Sequence, residues 1–221
     1  MIQTPFGVTL IGGGASDPAD LAAALALAPL LVAADGGADQ ALAMGHLPEL
    51  AIGDFDSISA GARMRLGEGR LAHIAEQDST DFEKALRHIR AGFVLAVGFT
   101  GRRLDHTLAA LNVMIRHRDR PVILLGGEDI TFAAPARLEL PVAAGTRLSL
   151  FPLGPAQGES EGLRWPIDGI AMTPAGRIGT SNEATGPVSL RMDGPMAVIL
   201  PRDHLALALR ALGVSAQIMN R

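Results

Sequence analysis

Short apolar runs alternate with stretches of helical periodicity over the first ~130 residues, and this alternation constrains the fold more than any other feature. It is typical of βαβ units, in which crossover helices join the strands of a parallel sheet. We therefore expect an N-terminal α/β domain with a mostly parallel sheet. The predicted strands are 6–12, 30–35, 50–54, 70–75, 93–100 and 121–126, and the predicted helices are 18–28, 59–66, 81–90 and 105–118.

The pattern changes after Ala134, where short β-rich segments such as "RLELPVAAGTRLSLFPLG" and "GPVSLRMDGPMAVILP" are separated by glycine and proline. Short alternating strands of this kind are typical of an antiparallel sandwich or roll. We therefore predict an α/β domain over 1–134 and a C-terminal antiparallel β-sandwich domain over 135–221. The segment beyond Pro201 is compatible with a helix or a strand.

The composition excludes several classes of protein. Of the 221 residues, 48% are apolar and 19% are charged, which is typical of a globular chain. The net charge is −4 and no basic run is longer than Arg102-Arg103, so a nucleic-acid partner is not expected. The chain has no cysteine, which excludes disulfides and thiolate metal sites and fits a reducing compartment.

The apolar segments bear on localisation. The N-terminus lacks the basic region and the long apolar core of a signal peptide. The longest apolar stretch, 21–34, is too short to span a bilayer and contains Pro29. We therefore predict a cytoplasmic protein with no membrane partner.

Aspartates follow several of the predicted strands, at the points where the strands end. Ligands of open α/β sheets bind beyond the carboxyl ends of the strands, so we expect these side chains at one edge of the sheet. Two arginines accompany them in "GRRLDHTLAALN". The charged residues that we expect at this edge are Asp35, Asp54, Asp56, Asp78, Asp81, Arg103 and Asp105.

Several carboxylates at one edge repel one another unless a cation neutralises them. Ligation by oxygen alone suits Mg²⁺, which bridges to substrate phosphates, and arginines add charge-assisted hydrogen bonds to phosphate oxygens. The sequence therefore predicts a magnesium-dependent site for phosphoryl or diphosphoryl transfer. In such a site, positioning and charge neutralisation supply most of the catalysis.

Purely structural interpretations of the same residues remain open. Asp54 can cap a turn while Asp56 is solvated. Thr80 and Glu83 have the spacing of a capping box, and Asp81 in the first turn of that helix suits the helix dipole. The functional interpretation depends on all these carboxylates lying at one edge.

Other motifs carry less information. Asp105 can cap the helix that follows it, and Lys84, the only lysine of the chain, is expected to be a solvated helix lysine. No glycine loop precedes Lys84, which excludes a lysine-dependent phosphate loop. "GGG" at 12–14 allows a close approach of phosphate but lacks the spacing of a dinucleotide fingerprint. The six histidines lack the spacing of metal ligands, so we expect no zinc site.

Seven motifs in the same order resemble those of the thiamine pyrophosphokinase family. In the first half they are "ADGGAD", "GDFDS", "QDSTDFEKAL" and "GRRLDHTLAALN". In the second half "LFPLG", "GLRW" and "GTSNE" are similar to the C-terminal motifs of that family. The resemblance extends from the first predicted strand to about Leu200, which is nearly the whole chain.

The resemblance implies an α/β domain, a β-sandwich and a homodimer with active sites between the subunits. It implies transfer of the β,γ-diphosphoryl group of ATP to the hydroxyethyl oxygen of thiamine, with Mg²⁺ required and AMP released. It also implies a role for each matching residue. The catalytic residues would be Asp54, Asp56, Asp81, Arg103 and Asp105, the first three binding Mg²⁺; ATP would contact Asp35, Gln77, Lys84, Arg103 and Asp105; and thiamine would contact Trp165, Ser181 and Asn182.

Alternatives to these roles follow from the residues alone. Trp165 can be a core residue of the β domain, which is the commoner place for a tryptophan. The acidic edge also suits a magnesium-dependent nucleotidyltransferase or phosphohydrolase. A non-catalytic thiamine-binding protein is a further alternative, although carboxylates in the site of a carrier would repel an anionic ligand.

Overall fold

The computed structural model describes residues 1–214, which fall into two compact units. The first unit consists of Met1–Val113 and Leu124–Gly127, and the second of Met114–Ile123 and 128–214. The last residues of the expected C-terminal domain, 215–221, lie outside the described residues.

The secondary structure alternates between helix and strand in the first half of the chain and is β-rich in the second. The helices are α1 (Pro18–Leu27), α2 (Gly37–Ala43), α3 (Ala60–Leu66), α4 (Asp81–His88), α5 (Leu104–Arg116) and α6 (Leu205–Ala211). The strands are β1 (Ile2–Gln3), β2 (Gly7–Ile11), β3 (Leu30–Ala34), β4 (Leu50–Gly53), β5 (Leu71–His73), β6 (Ile89–Arg90), β7 (Phe93–Val97), β8 (Val122–Gly126), β9 (Asp129–Ala133), β10 (Arg137–Leu140), β11 (Arg147–Pro152), β12 (Gln157–Leu163), β13 (Gly179–Asp193) and β14 (Met196–Pro201). Among residues 1–214, none of the helices has both the length and the apolar character needed to cross a membrane.

Five strands of the first unit pair in parallel in the order β7-β2-β3-β4-β5. Every residue of β2 and β7 is buried, as expected for strands that are covered on both faces. β1 and β6 form a separate parallel pair. Because the strands are parallel, their carboxyl ends share one edge, and Asp35 and Asp54 follow β3 and β4 there.

A buried apolar cluster in the first unit supports the segments that carry these aspartates. Ile11 of β2, Ala33 of β3 and Ala51 of β4 belong to it, together with Ala38 of α2. The small side chains allow α2 to lie close to the strands. Phe55, which separates Asp54 from Asp56, belongs to the same cluster and anchors their loop to the core.

The strands of the second unit pair antiparallel in the order β10-β13-β11-β14-β9, with β12 also beside β13. The 15-residue strand β13 is their common element. Its residues 179–183 pair with β11, and its residues 184–193 pair with β12 and, in part, with β10. The segment after Pro201, for which the sequence left helix and strand open, contains α6.

The predicted helices and strands up to residue 126 are present, with differences of a few residues at their ends. The pattern does not predict α2, because the glycines of "ADGGAD" disfavour a helix and lie at its start. The strand pairings are of both kinds, parallel from β7 to β5 and antiparallel among β9 to β14, so the mostly parallel sheet expected for the N-terminal domain is not confirmed. The physical reason is that residues 129–201, all described, contain no helix between strands, and parallel pairing needs such crossovers.

Candidate active site

The loop after β4 carries Asp54 and Asp56 on either side of a buried aromatic residue. Phe55 has a φ of 65° and is 9% exposed. This left-handed conformation is uncommon for a bulky residue, and neighbouring contacts hold it here. The Arg63 guanidinium donates to the Phe55 carbonyl and lies 5.3 Å from the centroid of its ring. The Asp54 side chain is only 10% exposed, whereas Asp56 is exposed to solvent.

Asp35, directly after β3, fixes the position of the same loop. It is 1% exposed, and its carboxylate oxygens accept the backbone N–H groups of Ser57 at 3.1 Å and Ile58 at 3.2 Å. A Cβ at Gly53 would lie 2.8 Å from the Asp35 Cβ, so the close approach of the two segments requires glycine at this position. Asp35 is therefore a structural partner of the loop as well as a candidate ligand.

Lys84 lies between two of the aspartates. Its Nζ donates to Asp54 Oδ2 at 2.7 Å and to Asp81 Oδ1 at 3.2 Å, and its side chain is 2% exposed. Thr80 begins α4 by accepting the Glu83 N–H at its Oγ1, and residues three apart on a helix share a face. The expectation of a solvated Lys84 is wrong: the lysine is buried because two carboxylates pair with it.

The carboxylates differ in pKa because their surroundings differ. The Lys84 hydrogen bond lowers the pKa of Asp54, whereas burial raises the pKa of Asp81. Burial also raises the pKa of Asp35 to about 6, with further contributions from Asp56 and Asp81. Burial alone would lower the pKa of Lys84, but its bonds to Asp54 and Asp81 outweigh that effect and raise it. The cluster is thus short of positive charge even with Lys84 in place.

Asp35, Asp54 and Asp81 each offer a carboxylate oxygen, and these oxygens lie within 4.8 Å of one another. Three oxygen donors are the ligand chemistry that Mg²⁺ takes, and a divalent ion would supply the missing positive charge. The residues therefore fit Mg²⁺. Asp56 lies outside this group, with its Oδ1 accepting the Ser57 hydroxyl at 2.8 Å, and its role as a ligand stays a prediction.

Gln77 reaches the cluster from the segment before α4. Its Nε2 donates to Asp54 Oδ2 at 3.1 Å, next to the bond from Lys84. His73 at the end of β5 also touches this loop, with Nε2 3.1 Å from the Asp54 carbonyl oxygen and its ring 5.5 Å from that of Phe55. His73 could not be assigned a role from the sequence, because a lone histidine in a strand carries no motif.

Arg103 and Asp105 form a bidentate pair at the start of α5. Nε of Arg103 lies 3.1 Å from Asp105 Oδ1 and a terminal guanidinium nitrogen lies 2.5 Å from Oδ2. The Arg103 bond lowers the pKa of Asp105. Asp105 is the second residue of α5 rather than its cap. In the part of the chain that the structure describes, neither side chain bonds to a member of the acidic cluster.

Trp165 in the second unit is 54% exposed, so its interpretation as a core residue is wrong. The Arg164 guanidinium lies 4.9 Å from the centroid of the indole ring and 3.4 Å from a Glu183 carboxylate oxygen. An exposed indole is suited to stacking on a flat heteroaromatic ligand.

Ser181 and Asn182 are consecutive residues of β13. Ser181 is exposed, has a φ of 59° and donates its N–H to Ser149 Oγ at 3.0 Å. Asn182 is 5% exposed, and its side-chain amide bonds to the backbone of Trp165. Of the three residues that the resemblance assigns to thiamine, the structure thus joins Asn182 to Trp165, whereas Ser181 bonds to Ser149.

Packing accounts for two glycines of the run 12–14. A Cβ at Gly12 or Gly14 would lie 2.7 or 2.5 Å from the Gly98 carbonyl oxygen. The Gly14 N–H donates to this oxygen at 2.8 Å. The loop after β2 must therefore approach the end of β7 closely, and this need explains Gly12 and Gly14.

Known proteins match both halves of the chain. Residues 21–124 match the family model "Thiamin pyrophosphokinase, catalytic domain", and residues 137–197 match "Thiamin pyrophosphokinase, vitamin B1 binding domain". Thiamine pyrophosphokinase 1 of Arabidopsis thaliana is 29% identical over 189 residues, which cover 70% of this chain and 71% of the relative. Thiamine pyrophosphokinase 1 of Oryza sativa subsp. japonica is 28% identical over 190 residues, 70% and 72% of the two chains.

Solved structures share the fold. A protein from Lactobacillus plantarum has a TM-score of 0.76 at 27% identity, with 90% of this chain and 99% of that chain covered. Thiamin pyrophosphokinase from Candida albicans has a TM-score of 0.73 at 19% identity, with 90% and 92% covered, and at this identity the likeness concerns the fold alone.

The fold, the acidic cluster and the two matched models together define a transferase with a catalytic part and a vitamin-binding part. The chain belongs to the thiamin pyrophosphokinase family. The family and the enzyme class expected from the sequence are thereby confirmed.

Proposed function

We propose that the cluster of Asp35, Asp54 and Asp81 is the centre at which the diphosphoryl group of ATP is transferred to thiamine. The products are thiamine diphosphate and AMP. The observation that carries the proposal is the meeting of three carboxylate oxygens within 4.8 Å, after β3, after β4 and at the start of α4. The match of residues 21–124 to the catalytic model of the family supports the same assignment.

Mg²⁺ is assigned to Asp35, Asp54 and Asp81, and Asp56 is assigned to the same centre because its carboxylate neighbours that of Asp35. When bound, Mg²⁺ neutralises the phosphate charge that develops as the bridge oxygen between the α and β phosphorus atoms departs. The carboxylates provide the fixed negative charge for this binding, and the short bond from Lys84 holds Asp54 in place.

The remaining polar residues are assigned to ATP and to the proton. Lys84 keeps a positive charge in the centre, and Gln77 orients Asp54 and faces the phosphates. Arg103, held by two bonds to Asp105, stabilises the departing nucleotide. The thiamine hydroxyl oxygen forms a bond to the β phosphorus, its proton passes to a carboxylate of the centre, and the bond from that phosphorus to the bridge oxygen breaks.

Trp165, Ser181 and Asn182 are assigned to the thiamine site, with the indole stacked on the pyrimidine ring. The match of residues 137–197 to the vitamin B1 binding model supports this assignment. The two separate family matches also support a catalytic α/β domain over 1–134 and a β-sandwich domain over 135–221. The protein is proposed to act in the cytoplasm as a homodimer, for which light scattering should give twice the chain mass of 23.0 kDa.

Incubation with thiamine and Mg·ATP, followed by mass detection of products, tests the proposal. We expect thiamine diphosphate and AMP in equal amounts, and neither product when thiamine or Mg²⁺ is left out. Pyrophosphate together with a nucleotidylated acceptor would indicate a nucleotidyltransferase instead, and ADP with free phosphate would indicate a phosphohydrolase. Thiamine binding in calorimetry without any turnover would indicate a non-catalytic binding protein.

A further inference from the structure

The hydrogen bonds of the Asn182 side chain lie within the protein. Its Oδ1 accepts the N–H of Trp165 at 3.2 Å and that of Glu183 at 2.9 Å, and its Nδ2 donates to the Trp165 carbonyl oxygen at 2.7 Å. The residue is 5% exposed, whereas Trp165 is 54% exposed. A group so enclosed is poorly placed to contact a ligand itself.

These hydrogen bonds occur where the pairing of β12 with β13 ends. The pairing of β12 with β13 ends at Leu163 and Ala184, and one more backbone bond joins the Arg164 N–H to the Glu183 carbonyl oxygen at 2.8 Å. The next residue, Trp165, lies beyond the reach of the ladder. The side-chain amide of Asn182 then takes the place of a backbone peptide group and satisfies both the N–H and the C=O of Trp165.

The ring of Trp165 is constrained on one side as well. The Arg164 guanidinium lies 4.9 Å from the ring centroid. It also forms an ion pair with the Glu183 carboxylate, at 3.4 Å between nitrogen and oxygen. One face of the indole is therefore covered by a cation, and a cationic ligand would be repelled from that face. The opposite face is the one on which thiamine would stack.

We infer that Asn182 is a positioning residue for thiamine, which acts by fixing the backbone from which the indole of Trp165 projects. The link to thiamine rests on the proposed function, whereas the link between Asn182 and Trp165 stands on the hydrogen bonds alone. A ring that is already held in its binding orientation loses less conformational freedom when the ligand binds.

The chain offers a direct probe, because Trp165 is its only tryptophan. Fluorescence anisotropy and acrylamide quenching of the intact protein therefore report on this ring alone. The variants are Asn182→Ala, which removes all three bonds, and Asn182→Asp, which keeps both accepted bonds and loses the donated one. Asn112→Ala, at an exposed position of α5, is the matched control.

In Asn182→Ala we expect lower anisotropy and stronger quenching of Trp165, and a thiamine KM raised about 10-fold with an ATP KM changed less than about twofold. Asn182→Asp should also loosen the ring, because a carboxylate oxygen would replace the donor that faces the Trp165 carbonyl oxygen, and Asn112→Ala should have no effect. An unchanged ATP KM and circular dichroism spectrum establish that the variants are folded. Unchanged anisotropy and quenching in both Asn182 variants would overturn the inference.

A double-mutant cycle separates positioning from direct contact. In a Trp165→Ala background, Asn182→Ala should add less than about twofold to the thiamine KM, because its effect passes through the missing ring. A full effect in that background would overturn the inference and make Asn182 a direct ligand contact. If Trp165→Ala by itself leaves the thiamine KM unchanged, the proposed thiamine site fails, and the fluorescence results still decide whether Asn182 holds Trp165.

Discussion

Lys84 Nζ lies 2.7 Å from Asp54 Oδ2, and this bond joins a helix to the loop of a strand 30 residues earlier in the chain. The lysine side chain is 2% exposed and that of Asp54 is 10% exposed. A charge pair so deeply buried is sensitive to the loss of Lys84, because Asp54 would then keep a buried charge without its cation.

Lys84→Met should therefore destabilise the metal-free protein. We expect the free energy of unfolding in EDTA to fall by about 3 kcal/mol, because Asp54 and Asp81 lose their shared cation. Mg²⁺ should recover part of this loss by supplying positive charge. Urea denaturation with and without Mg²⁺ measures both effects, and Arg70→Met, which breaks the exposed pair with Glu49, is the control with a change below about 1 kcal/mol.

Asp56→Asn should abolish most of the turnover and leave the fold intact. Asp56 is exposed, so its charge contributes little to folding, but the proposed magnesium and diphosphate centre needs it. We expect kcat to fall at least about 100-fold with an unchanged Tm. Asp119→Asn, at an exposed position near the end of α5, should retain normal kcat; a normal rate in Asp56→Asn would refute the assigned role.

Arg103→Ala should weaken the use of ATP without affecting stability. The side chain is 65% exposed and bonds only to Asp105 within residues 1–214, so its loss disturbs no core contact. We expect the ATP KM to rise about 10-fold, or kcat to fall by the same factor, with the thiamine KM unchanged. Arg102→Ala provides the matched control, and equal effects of both variants would contradict a specific role for Arg103.

The pKa of Asp35 predicts a pH dependence of stability in the metal-free protein. Burial raises this pKa from 3.8 to about 6, so the folded state holds a proton that the unfolded state has released. The protonated Asp35 contributes its full stabilisation below about pH 4. As the pH rises through about 6 this contribution is lost, and the free energy of unfolding falls by at most about 3 kcal/mol. Asp35→Asn, which also tolerates the positive φ of 42°, should flatten this dependence relative to wild type in EDTA.

Denaturation of both proteins at pH 4.5 and pH 7.5 measures the difference. Mg²⁺ should remove most of the loss at pH 7.5 in wild type only, since the variant has no carboxylate at position 35. Parallel curves for wild type and Asp35→Asn across this range would contradict the raised pKa.

The sequence could predict that Asp35, Asp54 and Asp81 lie near one another, because the carboxyl ends of successive parallel strands meet at one edge. It could not predict that Lys84 is buried. Helical spacing places Lys84 three residues after Asp81, but only the fold brings Asp54 to the same point. Local propensity alone favours a solvated lysine, and long-range pairing overrides it.

The backbone conformation of Phe55 and the hydrogen bonds of Asn182 could not be predicted from the sequence either. The left-handed φ of Phe55 depends on the burial of its ring and on Arg63, neither of which leaves a local sequence signal. The "GTSNE" motif identifies Asn182 but does not predict that its side-chain amide hydrogen-bonds to the backbone of Trp165, because the two residues are 17 positions apart. Both features depend on tertiary contacts, which join positions 8 residues apart for Phe55 and Arg63 and 17 residues apart for Trp165 and Asn182.

The long strand β13 has a consequence for synthesis on the ribosome. β10 and β12 pair only with β13, and β11 pairs with β13 and β14, so residues 137–163 have no strand partners in the described structure until residues 179–193 have been made. During that interval three nascent strands present unpaired edges, which are the usual starting points of aggregation. A premature stop before β13 should therefore yield an insoluble product rather than a smaller folded protein.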